Sequence, residues 1–248
     1  MDRTATRAGR LARRGFGDPH AAEQVIDRWL CATPDEQAVS RLVDEVLASA
    51  DPDLAMNAFD RLAAERAGLF LQVLADPVWL HRLVRVVGAS IALNQHLAVH
   101  PAAVEVLAGD IAPRDRASLR AELLQAVGAD PAETTPSAEP RNTDALRLAY
   151  RRALLRIAAR DLTHAEPTAI VDEVGAELAD LADATVEAAL ALARGEVAGW
   201  EQCRLGVLAM GKCGARELNY VSDVDVVYVA EPAVDDAGEP LVAPERAV

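Results

Sequence analysis

The sequence has few aromatic residues, few cysteines and no long apolar run. Phe, Trp and Tyr together make up 4% of its 248 residues, so the core must be built mainly from Ala, Leu and Val, which pack well between helices. The three cysteines, Cys31, Cys203 and Cys213, are scattered, and no two have metal-ligand spacing. Free thiols in a reducing cytoplasm are therefore expected. Because no uncharged apolar run reaches about 18 residues, no membrane span is predicted.

Positive charge is also scarce. The chain has 25 Lys and Arg residues against 39 Asp and Glu residues, a formal net charge of −14. Broad binding to a nucleic-acid backbone needs a basic surface, so no nucleic-acid partner is expected, although a local basic pocket is compatible with this balance. Five arginines between Met1 and Phe16 are expected to form a solvated basic arm or a first helix.

The composition divides the chain into three regions. Residues 1–127 show the pattern of short helices separated by Pro and Gly breaks, which predicts an N-terminal helical region. Residues 128–143 contain three prolines and no large apolar residue, which predicts an exposed linker or loop. Residues 144–248 are predicted to hold two long helices and then the start of an α/β unit.

The predicted long helices cover about 144–161 and 168–194, where apolar residues recur at three- and four-residue steps. After Trp200 the period changes, and the runs RLGVLAM and DVDVVYV are predicted strands. A two-stranded sheet is not stable alone, so the α/β unit is expected to be cut off at the C-terminus. The predicted fold class is mainly α with a small α+β part.

Two aspartates stand one residue apart at the start of the second predicted strand. Residues two apart in a strand project to the same side, so Asp223 and Asp225 are expected to face one site. Two carboxylates at this spacing bind Mg²⁺ or Mn²⁺ through oxygen. The alternative is a solvated strand end with no ligand.

A glycine-rich turn precedes the aspartates. Gly211 and Gly214 would let backbone N–H groups approach an anion, and Lys212 adds a positive charge for a phosphate. A short helix from about Ala215 is expected to direct its positive end to the same place. Surface charge without a ligand is the alternative for Lys212 and Arg216.

The layout of strand, glycine turn, short helix and Ser-Asp-x-Asp resembles the polymerase-β-like nucleotidyltransferase superfamily. The longer string MGKCGARELNYVSDVDVVYV, from Met210 to Val229, resembles the glutamine synthetase adenylyltransferase family, whose members also remove AMP. Cys213 replaces a usual Leu and Ala215 a usual Gly. The family pattern is met at Gly211, Lys212, Gly214, Arg216, Glu217, Leu218, Asn219, Ser222, Asp223 and Asp225.

This resemblance implies a function. Family members regulate glutamine synthetase: an N-terminal unit removes AMP from a tyrosine by phosphorolysis, giving ADP, and a C-terminal unit attaches AMP from ATP. The chain would correspond to the opening of the removing half. The implied roles are metal binding and catalysis for Asp223 and Asp225, nucleotide and phosphate binding for Gly211, Lys212, Gly214 and Ser222, and support for Arg216, Glu217 and Asn219.

The resemblance also implies partners. These are glutamine synthetase, ATP or ADP with phosphate, and a PII-type signalling protein, all in the cytoplasm. The superfamily needs a third carboxylate from a later strand, whereas Asp235 and Asp236 lie in a loop-like tail, so this chain alone is expected to be inactive. Two alternatives are another polymerase-β-like nucleotidyltransferase and a non-catalytic helical module that binds glutamine synthetase or a PII-type protein.

Overall fold

The computed structural model describes residues 6–138 and 142–243. Two compact units divide the chain, one of Met1–Ala112 with Ala158–Pro167 and the other of Pro113–Ile157 with Thr168–Val248. Among the residues described, the helical majority and the single small sheet agree with the predicted fold class. Within the described ranges, none of the helices combines the length and the apolar composition of a membrane-spanning segment.

The first unit is helical throughout its described part. Its largest fully buried side chains are Trp29, Leu42, Phe59, Phe70 and Leu80, so the few aromatic residues that the chain has are concentrated in this core. The helices are α1 (Arg7–Arg13), α2 (Pro19–Ala32), α3 (Glu36–Leu47), α4 (Pro52–Glu65), α5 (Ala67–Ala75), α6 (Pro77–Ala89), α7 (Ile91–Val99) and a 3-10 helix, Pro101–Leu107.

Asp-Pro steps begin three of these helices. Asp18, Asp51 and Asp76 each accept a hydrogen bond from a backbone N–H of the first turn, and a proline follows at the first helical position. The first turn of a helix leaves its N–H groups without intrahelical partners, so an acceptor is favourable there and the missing N–H of proline costs nothing. The breaks seen in the sequence are therefore helix starts.

The second unit combines long helices with the small sheet. The two long helices lie where the sequence predicts them, and the last residues of α9, from Ala158, group with the first unit. The strands β1 and β2 pair antiparallel, with Val207 opposite Tyr228. The elements are α8 (Arg116–Val127), α9 (Thr143–Thr163), a 3-10 helix (Pro167–Ala169), α10 (Val171–Glu196), a 3-10 helix (Trp200–Gln202), β1 (Cys203–Ala209), α11 (Gly211–Gly214) and β2 (Val226–Pro232).

The segment after α8 is mostly exposed, but its backbone is fixed to α10. The Ala138 N–H donates to the Ala191 carbonyl oxygen at 3.0 Å, and the Pro136 carbonyl oxygen accepts from the Arg194 guanidinium at 2.9 Å. Pro136 and Ala138 are buried. The described part of this segment is thus a packed loop. The domain boundaries placed on either side of 128–143 stay a prediction.

Candidate functional site

The glycine turn forms a single helical turn, α11. The sequence predicts a short helix from about Ala215, and this prediction is wrong, because the hydrogen-bonded turn begins four residues earlier, at Gly211. The Gly214 N–H donates to the Met210 carbonyl oxygen at 3.1 Å and the Ala215 N–H to that of Gly211 at 3.0 Å. A helix dipole needs several aligned peptide units, so one turn does not supply the positive helix end that the sequence argument used.

Backbone geometry explains both glycines of the turn. Gly211 has a φ of 53°, in the left-handed region that glycine enters without a steric penalty. A Cβ on Gly214 would lie 3.0 Å from the carbonyl carbon of Ala209 and closer still to its oxygen, a separation that no side chain tolerates. The turn is therefore packed directly against the end of β1.

The two aspartates lie immediately before β2 and not within it. The strand begins at Val226, and the Asp225 carbonyl oxygen accepts a hydrogen bond from the Met210 N–H at 2.8 Å. The carboxylates of Asp223 and Asp225 are exposed, and within the described ranges neither has a hydrogen-bond or ion-pair partner. That both face one site stays a prediction.

The structure brings the turn and Asp225 together. A Cβ on Gly211 would lie 3.8 Å from a carboxylate oxygen of Asp225, so this carboxylate faces the backbone of the turn. Lys212, the next residue, is exposed. The Asp225 carboxylate thus lies beside the turn that carries Lys212, an arrangement that suits a metal ion and a phosphate bound near each other.

The remaining predicted residues lie in the loop between the turn and the aspartates. The Glu217 N–H donates to the Lys212 carbonyl oxygen at 2.8 Å. The Asn219 side-chain oxygen accepts from the Val221 N–H at 3.2 Å, an arrangement typical of Asx turns. Ser222 is partly buried beside Asp223. Asn219 therefore holds the loop that leads to the aspartates.

Arg216 attaches this loop to α10. Its φ is 61°, and its guanidinium donates to both carboxylate oxygens of Asp180, with Nη2 to Oδ2 at 2.8 Å. Asp180 is 5% exposed. The hydrogen bond that Arg216 donates to Asp180, followed by the negative charge of Asp180, raises the pKa of Arg216, so the guanidinium stays charged.

Asp180 belongs to a row of acidic residues along α10 that the sequence analysis did not single out. Steps of three and four residues place four carboxylates on one side of the helix, and this spacing was the available signal. Each carboxylate has a different partner. Glu177 accepts a hydrogen bond from the backbone N–H of Arg114. The other three pair with arginine guanidinium groups: Asp180 with Arg216, Asp183 with Arg116 and Glu187 with Arg120.

The described residues contain no group of three His, Cys, Asp or Glu side chains placed to hold a metal ion. Asp235 instead holds its own turn, because its carboxylate accepts from the N–H groups of Ala237 and Glu239, each at 2.9 Å. The predicted metal site therefore consists of a pair of carboxylates in this part of the chain.

Comparison with known proteins identifies the family. The model of the glutamate-ammonia ligase adenylyltransferase family matches residues 80–242. The chain belongs to this family. The matched part of this adenylyltransferase-family chain includes the turn, the loop and both aspartates, which confirms the family resemblance seen in the motif.

Three relatives show how much of a longer protein the chain represents. Relatives from Cutibacterium acnes, Nocardia farcinica and Streptomyces coelicolor are 48%, 46% and 44% identical over 75%, 90% and 90% of this chain. Each is named bifunctional glutamine synthetase adenylyltransferase/adenylyl-removing enzyme. The aligned parts cover 19%, 24% and 22% of the three relatives, so the chain spans about a fifth to a quarter of their length.

Proposed function

We propose that this chain is part of a nucleotidyltransferase that regulates glutamine synthetase, within the half that removes AMP from a tyrosine. The proposal is carried by the Asp225 carboxylate, which faces Gly211 in a chain of the glutamate-ammonia ligase adenylyltransferase family. The relatives' names support the removing and the adding activities for the whole protein. The adding activity would belong to another half of that protein.

Asp223 and Asp225 fit a divalent metal ion. Carboxylate oxygen is the ligand that Mg²⁺ and Mn²⁺ prefer, and Mg²⁺ is usually held by one or two carboxylates together with substrate phosphates. Both carboxylates are exposed and, in the part of the chain that the structure describes, neither is engaged by another side chain. An ion bound there would supply neutralising charge for the phosphoryl group that is transferred.

The turn would bind and orient the phosphates. Gly211 and Gly214 keep Cβ atoms away from its backbone, exposed Lys212 supplies positive charge, and Ser222 supplies a hydroxyl next to the carboxylates. In the proposed reaction, an oxygen of inorganic phosphate attacks the α-phosphorus and the bond to the tyrosine oxygen breaks, which gives ADP and free tyrosine. No side chain of the protein becomes covalently attached.

The proposal also names the partners of the whole protein. Glutamine synthetase is the protein substrate, ATP or ADP and phosphate are the small substrates, and a PII-type signalling protein is a regulator, all in the cytoplasm. The acidic balance of the chain supports the absence of a nucleic-acid partner. This chain alone is expected to be inactive, since the described residues offer no third carboxylate beside the pair.

A graft into a longer relative tests the proposal. The Streptomyces coelicolor relative aligns over 233 residues, and this chain would replace that segment. The hybrid should release ADP from adenylylated glutamine synthetase when phosphate and Mg²⁺ are present. Asp223→Asn or Asp225→Asn should lower that rate by about 100-fold or more, because a charged metal ligand contributes several kcal/mol to the transition state.

Two controls make the result specific. Asp236→Asn removes another exposed carboxylate from the same unit and should leave the rate unchanged. Attachment of AMP from ATP should persist in every variant. ADP release at the parental rate by the Asp225→Asn hybrid would contradict the metal assignment. A parental hybrid that binds glutamine synthetase but releases no ADP would favour the non-catalytic helical module.

A further inference from the structure

We propose that Asp180 is a positioning residue that holds the phosphate-binding turn in place through Arg216. The inference rests on the function proposed above. It concerns a side chain on α10, outside the motif, which touches neither the turn nor the two aspartates before β2 in the contacts described. Its effect on the site must pass through the loop that follows α11.

The backbone of Arg216 shows that this loop is held under constraint. Among the described residues it is the only one other than glycine with a positive φ. Residues with a Cβ rarely adopt this conformation, and it persists where the surrounding structure fixes it. Two backbone hydrogen bonds close the end of α11 and favour this φ, one from the Arg216 N–H to the Cys213 carbonyl oxygen and one from the Glu217 N–H to that of Lys212. The two-oxygen contact with Asp180 holds the Arg216 side chain in the same place.

Asp180 in turn requires Arg216. A carboxylate that is 5% exposed has lost most of its hydration, and this loss is costly unless a positive group compensates for it. The planar guanidinium matches both carboxylate oxygens. Arg216 itself is about half exposed, with 49% of its side chain accessible. Breaking the pair therefore costs more at the buried carboxylate than at the guanidinium.

A second contact attaches the same loop to α10. A Cβ on Gly175 would lie 3.4 Å from the Glu217 Cα and 3.4 Å from the Leu218 carbonyl oxygen, so the loop backbone passes directly over this glycine. Leu218 is buried. Gly175 and Asp180 thus form two attachment points on one helix, which fix both the position and the direction of the loop.

Hydrogen bonds transmit this position to the turn. The Arg216 N–H donates to the Cys213 carbonyl oxygen at 3.1 Å, and the Glu217 N–H donates to that of Lys212 at 2.8 Å. A displacement of Arg216 therefore displaces the backbone of Lys212. Since Asp225 faces the same turn at Gly211, the pair on α10 sets the distance between the phosphate-binding turn and the carboxylates.

Amide hydrogen exchange on this chain tests the attachment. In Asp180→Asn, the amides of Gly214, Ala215, Arg216 and Glu217 should exchange about tenfold faster, which corresponds to about 1.4 kcal/mol. Arg216→Lys keeps the charge but loses the two-pronged donor and should act in the same direction. Glu187→Gln breaks a similar arginine pair on the same helix and should leave these four amides unchanged.

Titration with Mn²⁺ alone, followed by electron paramagnetic resonance, tests positioning. The parent chain should bind Mn²⁺, and the Asp223→Asn, Asp225→Asn double substitution should abolish this binding. Asp180→Asn and Arg216→Lys should weaken Mn²⁺ binding several-fold, because the turn beside Asp225 is displaced. Glu187→Gln should bind as the parent does. A merely structural role of Asp180 would lower stability without changing Mn²⁺ affinity.

The outcomes are distinguishable. Unchanged exchange of the four amides in both Asp180→Asn and Arg216→Lys would overturn the attachment. Faster exchange with unchanged Mn²⁺ affinity would overturn the positioning role and leave the proposed function intact. Absence of Mn²⁺ binding that depends on Asp223 and Asp225 would overturn the metal site of the proposed function, and the present inference with it.

Discussion

The Arg156 guanidinium of α9 donates to both carboxylate oxygens of Glu122 on α8, at 3.1 and 2.5 Å. The two partners differ in burial, because the Arg156 side chain is 11% exposed and that of Glu122 is 32% exposed. An ion left behind without its partner is destabilising to the extent that water cannot reach it. Removing Glu122 and removing Arg156 should therefore lower the free energy of unfolding by different amounts.

Glu122→Ala is expected to lower the free energy of unfolding by about 2 kcal/mol, because it leaves the buried guanidinium unpaired. Arg156→Met should cost about 1 kcal/mol or less, since Glu122 then turns to water while the apolar stem stays packed. Urea unfolding followed by circular dichroism measures both. Arg147→Ala, which breaks an exposed pair with Asp144, should change stability by less than about 0.5 kcal/mol. Equal losses for Glu122→Ala and Arg156→Met would contradict the argument from burial.

The helix starts of the first unit give a second prediction. Asp51→Ala and Asp76→Ala each remove an acceptor for first-turn N–H groups and should each cost about 1 kcal/mol. Asp51→Asn and Asp76→Asn keep a side-chain oxygen, so each should lower the free energy of unfolding by only a few tenths of a kcal/mol. The urea midpoint is the measurement. If the Asn and Ala variants lose the same stability, capping is not the cause.

Gly214→Ala should displace α11 from the end of β1, since the new Cβ overlaps the Ala209 carbonyl group. Cys213, which is buried beside it, should then be labelled by a thiol reagent about tenfold faster or more, as local opening becomes easier. Gly68→Ala is the matched control, because a Cβ there meets nothing within 4 Å. Unchanged labelling of Cys213 in Gly214→Ala would show that the close approach is not restrictive.

The cysteines give a prediction of pH dependence. Burial, followed by the negative charge of Asp183, raises the pKa of the Cys213 thiol. The thiolate is the reactive form, so labelling of Cys213 should keep increasing at pH values where an ordinary thiol, with a pKa of about 8.5, has levelled off. Asp183→Asn should move the Cys213 profile to lower pH. Mass spectrometry of each labelled cysteine from pH 7 to about 10 gives the profiles, with exposed Cys31 as the internal reference.

The long helices were predictable from the sequence because their apolar periodicity extends over five or more turns. Over α10 the pattern is repeated often enough that breaks at either end are clear. Apolar residues also recur at three- and four-residue steps across 54–74, but this pattern does not reveal that the chain is divided between α4 and α5 at Arg66. This break depends on packing and leaves no proline or glycine signal before it.

The motif predicts the candidate site, but the geometry of its residues required the structure. Alternating Asp and Val residues predict a strand from Asp223, whereas the ladder begins at Val226, because pairing with β1 decides where a strand starts. The glycines signal a turn but not its contact with Ala209. The three- and four-residue spacing marks Asp180 as one of a row of carboxylates but does not show that it is buried. A charged residue in an amphipathic helix is normally assigned to the solvent side, and the partner of Asp180 lies 36 positions away.

The acidic row of α10 has a consequence for synthesis on the ribosome. Three of its partners, Arg114, Arg116 and Arg120, precede the helix in the chain, so they have already been made when α10 emerges. The fourth, Arg216, follows the helix. Asp180 therefore lacks this partner until the ribosome has released Arg216, and α10 can complete its burial only when the residues of the candidate site have left the exit tunnel. Translation order thus couples the last step of packing in this helix to the appearance of the site.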